Sequence, residues 1–234
     1  MKPALSGYAV FDLDGTLADS LGDIARALGR VFLTRGKEPI PMEIVGNLVG
    51  RGPRSLIERA WCLAGGTNDP EQIKVLTAEY LHEYRKNPKG GTRAFPGVDA
   101  GLRRLVQAGW RLGICTNKDG WSARALVREL GWGGWIRVVV SGQEGFRKPD
   151  PHPLRLAFRR LQAPTGRHLF IGDSEVDLQT ARNAGVTGVF LGHGYGKWGN
   201  TSTDGMYYFD DAVSMFSWMA RASCTPKISR DRFS

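Results

Sequence analysis

The sequence predicts an open, mostly parallel α/β sheet with a helical domain inserted after the first strand. Three observations carry this. Short apolar runs end in small or polar residues, helical patterns separate most of them, and one stretch of about 80 residues shows helical periods only. The runs are Tyr8 to Leu13, Arg111 to Cys115, Ile136 to Val140, His168 to Ile171 and Val189 to Leu191. They are continuous rather than alternating, as expected of parallel strands covered on both faces.

The helices follow from stripes and stops. Leu102, Leu105 and Val106 end at Gly109, a C-terminal stop. Ala123, Leu126, Val127 and Leu130 follow an N-cap at Asp119 and stop at Gly131. Leu154, Ala157, Phe158 and Leu161 follow Pro151 and Pro153, which suit a first turn. Leu178 and Ala181 lie in a helix ending near Gly185, and Val213, Phe216 and Met219 suggest a last helix covering the core.

The long interruption carries three stripes: Leu21, Ile24, Leu28 and Val31; Leu56, Ile57, Ala60 and Ala64; and Ile73, Leu76, Tyr80 and Tyr84. A connection of that length is expected to be a domain of its own. The division is residues 1–17 and 94–234 for the α/β core and 18–93 for the insertion, with a return linker at Asn87 to Pro96 and a disordered tail after about 225.

Composition bounds the function. The chain has 234 residues, and a hydrophobic fraction of 41% with 24% charged excludes a disordered chain, a collagen-like repeat and a coiled coil. Cys62, Cys115 and Cys224 are odd in number, and none forms a C-x-x-C pair. A disulfide framework and a thiolate zinc site are therefore not expected. Cys62 and Cys115 fall in apolar stretches and read as small core residues, while Trp61, Trp110 and Trp121 read as core or hinge packing. With no secretory apolar segment and no membrane-length run, the expectation is a cytoplasmic protein, monomer or homodimer. The net charge of +9 comes from scattered basic residues without interleaved aromatics. Nucleic acid is thus not an expected partner, though a basic field helps attract a small anion.

In open α/β sheets ligands bind beyond the carboxyl ends of the strands. The first strand delivers Asp12-Leu13-Asp14-Gly15-Thr16, the second Thr116-Asn117-Lys118, and the fourth Gly172-Asp173-Ser174 with Asp177 a turn later. Arg147-Lys148-Pro149-Asp150 leads into the preceding helix. Four carboxylates then share one rim, with Lys148 the nearest candidate counter-charge. Like charges at about 4 Å repel by about 4 kcal/mol even at an effective dielectric of 20. The rim therefore calls for a cation or a raised pKa. All-oxygen ligands open to phosphate favour Mg²⁺.

These motifs, in this order over roughly residues 7 to 196, resemble the haloacid dehalogenase (HAD) superfamily of Mg²⁺-dependent phosphohydrolases, whose core is Rossmann-like. The resemblance implies that Asp12 is the nucleophile, forming an aspartyl-phosphate, and Asp14 the general acid and then base. It implies that Thr116, the backbone at Asn117, and Lys148 bind the phosphoryl group. Asp12, the Asp14 carbonyl and Asp173 would hold Mg²⁺, with Asp177 as ligand or support. The insertion matches the helical cap of this superfamily. Its segment from Val49 to Ala60, with Phe95 to Val98, Cys115 to Lys118 and His193 to Gly196, is similar to the phosphoglycolate phosphatases. Arg51 is the expected grip on the substrate's carboxylate or other polar group. Ser20 is expected to N-cap the following helix or to face the substrate, and His193 to be structural. The implied substrate is a small phosphorylated metabolite. Alternatives are a nucleoside or sugar phosphate, a phosphomutase (against which Thr16 stands) or a non-enzymatic binding descendant.

Overall fold

The structure is a computed structural model that describes residues 7–87, 90–142, 146–163, 168–197 and 205–221. The expected disordered tail and Cys224 lie outside these residues.

Six strands form one sheet: β1 (Tyr8–Phe11), β4 (Arg111–Thr116), β5 (Ile136–Ser141), β6 (His168–Gly172), β7 (Thr187–Leu191) and β8 (Met206–Phe209), ordered β5-β4-β1-β6-β7-β8. Every neighbouring pair is parallel. The chain builds outward from β1 through β4 to β5, then returns to the other side of β1. That reversal places the binding crevice of such sheets at the end of β1.

Both faces are covered, as the continuous apolar runs require. Ala9 and Phe11 of β1 join a core with Leu102 and Leu105 of α5 (Val98–Gln107), Leu126 of α6 (Gly120–Glu129), and Met215 and Phe216 of α9 (Ala212–Met219). Val10 between them joins the opposite core, with Leu154 and Phe158 of α7 (His152–Arg160) and Ala181 of α8 (Glu175–Ala184). This is the period-two alternation of a strand buried on both sides. Asp119 caps α6 by accepting from the Ser122 amide at 3.2 Å.

Between β1 and α5 run β2 (Ala18–Asp19), α1 (Leu21–Leu33), α2 (Met42–Gly46), α3 (Pro53–Leu63), α4 (Pro70–Arg85) and β3 (Arg93–Ala94). The helices share a separate core in which Ile24, Leu28 and Val31 meet Leu56, Ile57, Ile73 and Leu76. Asp69 starts α4, accepting from the Gln72 amide at 3.0 Å. The two passages between this helical segment and the sheet pair as the antiparallel ribbon β2–β3. At that ribbon the buried Asp23 carboxylate accepts from the Gly91 and Thr92 amides at 3.0 and 2.8 Å and from the Thr92 hydroxyl at 2.5 Å. Burial opposes its charge, but these donors outweigh it and hold its pKa below the ordinary value.

Several local expectations are corrected. The return segment is not a plain linker, because Arg93–Ala94 is a strand. The edge strand β8 and the short helix α2 had no clear periodic signal. Cys62 is exposed rather than core, since it lies on the outer face of α3, whereas Cys115 is buried. Val213 is 53% exposed on the outer side of α9. Trp121 is 48% exposed, with Arg85 of α4 lying over its ring at 5.8 Å. No described helix is long and apolar enough to cross a membrane.

Candidate active site

Asp12 follows the last residue of β1, and its amide still donates to the Ile171 carbonyl at 2.8 Å, so the sheet's ladder fixes its position. The chain then turns at Gly15, with φ of +85°. A Cβ there would lie 2.4 Å from an oxygen of Asp173, so the conformation and the close approach both demand glycine. The turn lets the Thr16 hydroxyl donate to Asp173 Oδ1 at 2.6 Å.

Asp12, Asp173 and Asp177 come together. Each is buried, and each offers an oxygen within 4.8 Å of the others, a set that could hold a metal ion. Lys148 Nζ lies 2.5 Å from Asp177 Oδ1 and 2.9 Å from Asp12 Oδ1. Three carboxylates thus face one ammonium. Burial first, then the neighbouring charges of Asp177 and Asp14, raise the Asp12 pKa to about 6 against the pull of Lys148. Burial, Asp177 and Asp12 raise that of Asp173 to about 7. Asp12 Oδ1 is buried with the Lys148 ammonium beside it, in a geometry that makes no well-formed hydrogen bond among the described residues. Three buried carboxylates against one ammonium, two of them pushed toward neutrality, are a donor set that fits an all-oxygen cation site.

Asp177 is further fixed by a reciprocal cap on α8: its Oδ2 accepts from the Ser174 amide at 3.1 Å and hydroxyl at 2.5 Å. Asp173 Oδ2 accepts from the Tyr195 and Gly196 amides at 2.9 and 3.3 Å.

Asp14 points elsewhere. Its carboxylate accepts from Lys118 Nζ at 2.9 and 3.0 Å and from the Ser20 hydroxyl at 2.5 Å. The expectation of one lysine for four carboxylates is therefore corrected to two, because the Lys118 side chain reaches back from the β4 end. Burial works against the Lys118 charge, yet Asp14 outweighs it and the pKa rises well above the ordinary value. The ammonium also sits over the Tyr84 ring, 4.3 Å from its centre.

The other predicted residues divide. Thr116 and Asn117 lie buried at the same rim. The Asn117 amide donates to the Gly50 and Lys148 carbonyls at 2.9 Å each and accepts from the Lys148 amide at 2.9 Å, a side-chain role beyond the expected backbone one. Ser20 occupies the N-cap position of α1 but makes no side-chain cap, its hydroxyl being spent on Asp14. Arg51 is exposed and, with Arg59 and Lys197, lines a cavity of about 300 Å³ beside Asp173. His193 meets the Thr16 carbonyl at 3.1 Å and stacks on Phe95, a structural placement.

A second cavity of about 40 Å³ joins Asp12, Asp14, Thr116 and Lys118 to Ile24, Val49, Leu56, Tyr80, Leu81 and Tyr84 of the helical segment. Sequence reasoning missed Lys118, although it adjoins Thr116-Asn117 at a strand end. It took Tyr84 for one more residue of a core stripe. It gave no role to Tyr195, whose hydroxyl accepts from the Ser20 and Leu21 amides at 2.6 and 3.0 Å and donates to Asp19 at 2.9 Å.

Residues 9–191 match the family model of haloacid dehalogenase-like hydrolases. The phosphoglycolate phosphatase of Rhodospirillum rubrum is 35% identical over 234 residues, covering 95% of this chain and 97% of that protein. The phosphoglycolate phosphatase of Cereibacter sphaeroides is 36% identical over 187 residues, covering 80% and 85%. Among solved structures, CbbY from Rhodobacter sphaeroides in complex with phosphate aligns with a TM-score of 0.76 at 24% identity, over 90% of this chain and 96% of that one. A protein of Haemophilus somnus 129pt, described as a predicted phosphoglycolate phosphatase, aligns with a TM-score of 0.79 at 23% identity, over 93% and 99%. At those identities the structures speak for the fold, and the sequence relatives for the lineage. This chain belongs to the haloacid dehalogenase-like hydrolases, as a phosphoglycolate phosphatase-like member of that family.

Proposed function

We propose that this chain hydrolyses a small phosphate monoester, most like 2-phosphoglycolate, through an aspartyl-phosphate on Asp12, with Mg²⁺ held by Asp12, Asp173, Asp177 and the Asp14 carbonyl. The observation that carries the reading is the position of Asp12. It sits between the Lys148 ammonium and two further carboxylates, and it opens onto a cavity walled by the helical segment. Relatives named phosphoglycolate phosphatase support the substrate. The limited volume favours a short leaving group.

Bound Mg²⁺ supplies positive charge that lets a phosphate dianion approach a carboxylate. The chain's own residues do the rest. An Asp12 oxygen attacks phosphorus while the ester P–O bond breaks, and Asp14, entering this step in its protonated form, gives its proton to the departing oxygen. Asp14 then takes a proton from water as that water attacks phosphorus and the bond to Asp12 breaks. Splitting the displacement in two lowers each barrier. Lys148 and Thr116 stabilise the equatorial oxygens. The Asn117 side chain keeps Lys148 aimed and ties the Gly50 carbonyl to the core. Residues 18–93 act as a cap that keeps bulk water out and sets the leaving group.

The test is released phosphate from about a hundred phosphorylated metabolites, with and without chelator, a panel wide enough to span leaving-group classes. The expected result is preferred turnover of 2-phosphoglycolate that stops with chelation and returns with Mg²⁺. Undiminished turnover in excess chelator removes the metal from the reading. A distinct preference for a nucleoside or sugar phosphate replaces the substrate.

A further inference from the structure

The small cavity has two unlike ends. One end is the reacting centre at Asp12, already occupied by the phosphoryl chemistry. The wall contributed by the helices is largely apolar, through Ile24, Val49, Leu56 and Leu81. One polar group on that wall stands out. Tyr84 is 3% exposed, and its hydroxyl, which has the Lys118 ammonium for a neighbour, donates to no acceptor among the described residues. A buried donor without an acceptor costs stability, and one that lines a cavity is relieved by whatever fills that cavity. Burial also keeps the phenol protonated, so it is a standing donor.

Lys118 meets Tyr84 at the same cavity, its ammonium 4.3 Å from the ring centre. An ammonium carries three donors, and the two Asp14 oxygens account for two of them, at 2.9 and 3.0 Å. Next to the apolar wall the cavity therefore offers a charged donor and a neutral donor side by side. A phosphoryl group does not need them, since Lys148, Thr116 and the metal site serve it. An alcohol or a hydrocarbon leaving group leaves both donors poorly used. A carboxylate, with two oxygens and a full charge, satisfies both. The small cavity, about 40 Å³, favours a short chain between ester oxygen and carboxylate.

We infer that Lys118 and Tyr84 form the recognition site for a carboxylate on the leaving group, making the enzyme specific for phosphorylated short hydroxy acids. This rests on the phosphatase reading above. It moves the acid-binding role away from Arg51, which lines the wider cavity on the Asp173 side, a cavity that shares Asp12, Asp14, Val49 and Gly50 with the small one but does not reach Tyr84 or Lys118.

The experiment compares kcat and KM for 2-phosphoglycolate and for ethyl phosphate, which has the same chain length and no carboxylate, in wild type, Tyr84→Phe and Lys118→Met. Wild type is expected to prefer phosphoglycolate. Tyr84→Phe removes one hydroxyl and no volume that packs. It is expected to raise KM for phosphoglycolate by about tenfold while changing KM for ethyl phosphate by less than about twofold. Lys118→Met is expected to abolish the preference, whatever it does to the absolute rate through Asp14. The ratio between the two esters is the readout, because a merely structural role lowers both alike. Equal losses on both esters, an unchanged ratio in both variants, or a ratio that falls only in Arg51→Ala overturns the site. A wild type that hydrolyses both esters without preference also overturns it and leaves the phosphatase reading standing. A wild type that releases phosphate from neither ester, nor from the wider panel, overturns the phosphatase reading itself, and the site with it.

Discussion

The rim has two halves, and they are built on different principles. The deep half is Asp12, Asp173, Asp177 and Lys148, drawn from the ends of β1 and β6, the first turn of α8 and the turn before α7. It carries three carboxylates against one ammonium, all buried. The shallow half is Asp14, Lys118, Ser20 and Tyr84, where one carboxylate meets one ammonium at the boundary with the helical segment. The deep half is unbalanced and asks for a cation. The shallow half is balanced in charge but has an unused donor, and asks for a ligand. On the proposed reading, one rim separates the nucleophile and cation site, drawn wholly from the core, from a boundary half in which the acid–base Asp14 stands beside recognition groups, some of them borrowed from the insertion.

The sharpest test of that division is Asp12→Asn. Loss of the attacking oxygen is expected to lower kcat by at least about 10³-fold, with circular dichroism unchanged. Relief of carboxylate repulsion should, if anything, raise the melting temperature. Substantial activity in this variant would remove the nucleophile from the deep half.

Next in size is the contrast between Lys148→Met and Lys118→Met in chelated protein. The Lys148 side chain is 1% exposed and faces two buried carboxylates. Removing it leaves charge without compensation, expected to cost about 3–5 kcal/mol of stability. Lys118→Met is expected to cost less, because Asp14 keeps the Ser20 hydroxyl and is 12% exposed at its side chain. Denaturant titration measures both. Equal costs would erase the distinction between unbalanced and balanced halves.

A smaller effect sharpens the cation requirement. The folded pKa values of Asp12 and Asp173, about 6 and about 7, lie above the ordinary carboxylate value. For these two groups the folded chain holds more protons than the unfolded chain above about pH 4. Their contribution therefore falls as pH rises toward 7. Mg²⁺ must displace those protons, so its apparent affinity is expected to tighten by about tenfold or more between pH 5.5 and 7.5 and to level off above. Half-buried His193, whose pKa is lowered mainly by burial, works in the opposite direction on stability below about pH 6.5 without touching the ion. Thermal shift against Mg²⁺ concentration at several pH values reads the affinity, and a flat profile would count against the raised carboxyls.

The carboxylates of the deep half were legible in the sequence because Asp12, Asp173 and Asp177 sit at a strand end or one turn beyond it, where the parallel topology forces convergence, while Lys148 was legible from its motif in the turn before α7. The HAD-like α/β architecture was legible for the same reason, since continuous apolar runs and helical stripes alternate strictly outside the insertion. The shallow half was not. Lys118 adjoins a motif but owes its role to a side chain folding back on Asp14. Tyr84 obeys the helical spacing of Ile73, Leu76 and Tyr80, and periodicity treats a residue lining a cavity and a residue filling a core alike. Cys62 failed from the same cause in reverse, an apolar neighbourhood in sequence that is an outer helix face in space. The ribbon β2–β3 has two residues on each side, too short for any pattern.

The smallest effect lies where the halves join. Tyr195 donates its backbone amide to Asp173, while its hydroxyl receives the Ser20 and Leu21 amides, two of the otherwise unpaired donors at the start of α1, and donates to Asp19. One residue thus holds a deep carboxylate by its main chain and the root of the helical segment by its side chain. Tyr195→Phe cuts the second tie alone. The expected cost is about 1 kcal/mol, seen as a fall of about 2–4 °C in melting temperature for a chain of this size. Mg²⁺ affinity should hold, because the amide bond to Asp173 survives the substitution. KM for phosphoglycolate should rise more than kcat falls, because the cap's orientation loosens while the nucleophile stays fixed by the sheet. A drop in Mg²⁺ affinity greater than about threefold, or a loss confined to kcat, would mean the two halves are mechanically one. The separation of the nucleophile and cation site from recognition would then be a matter of charge alone.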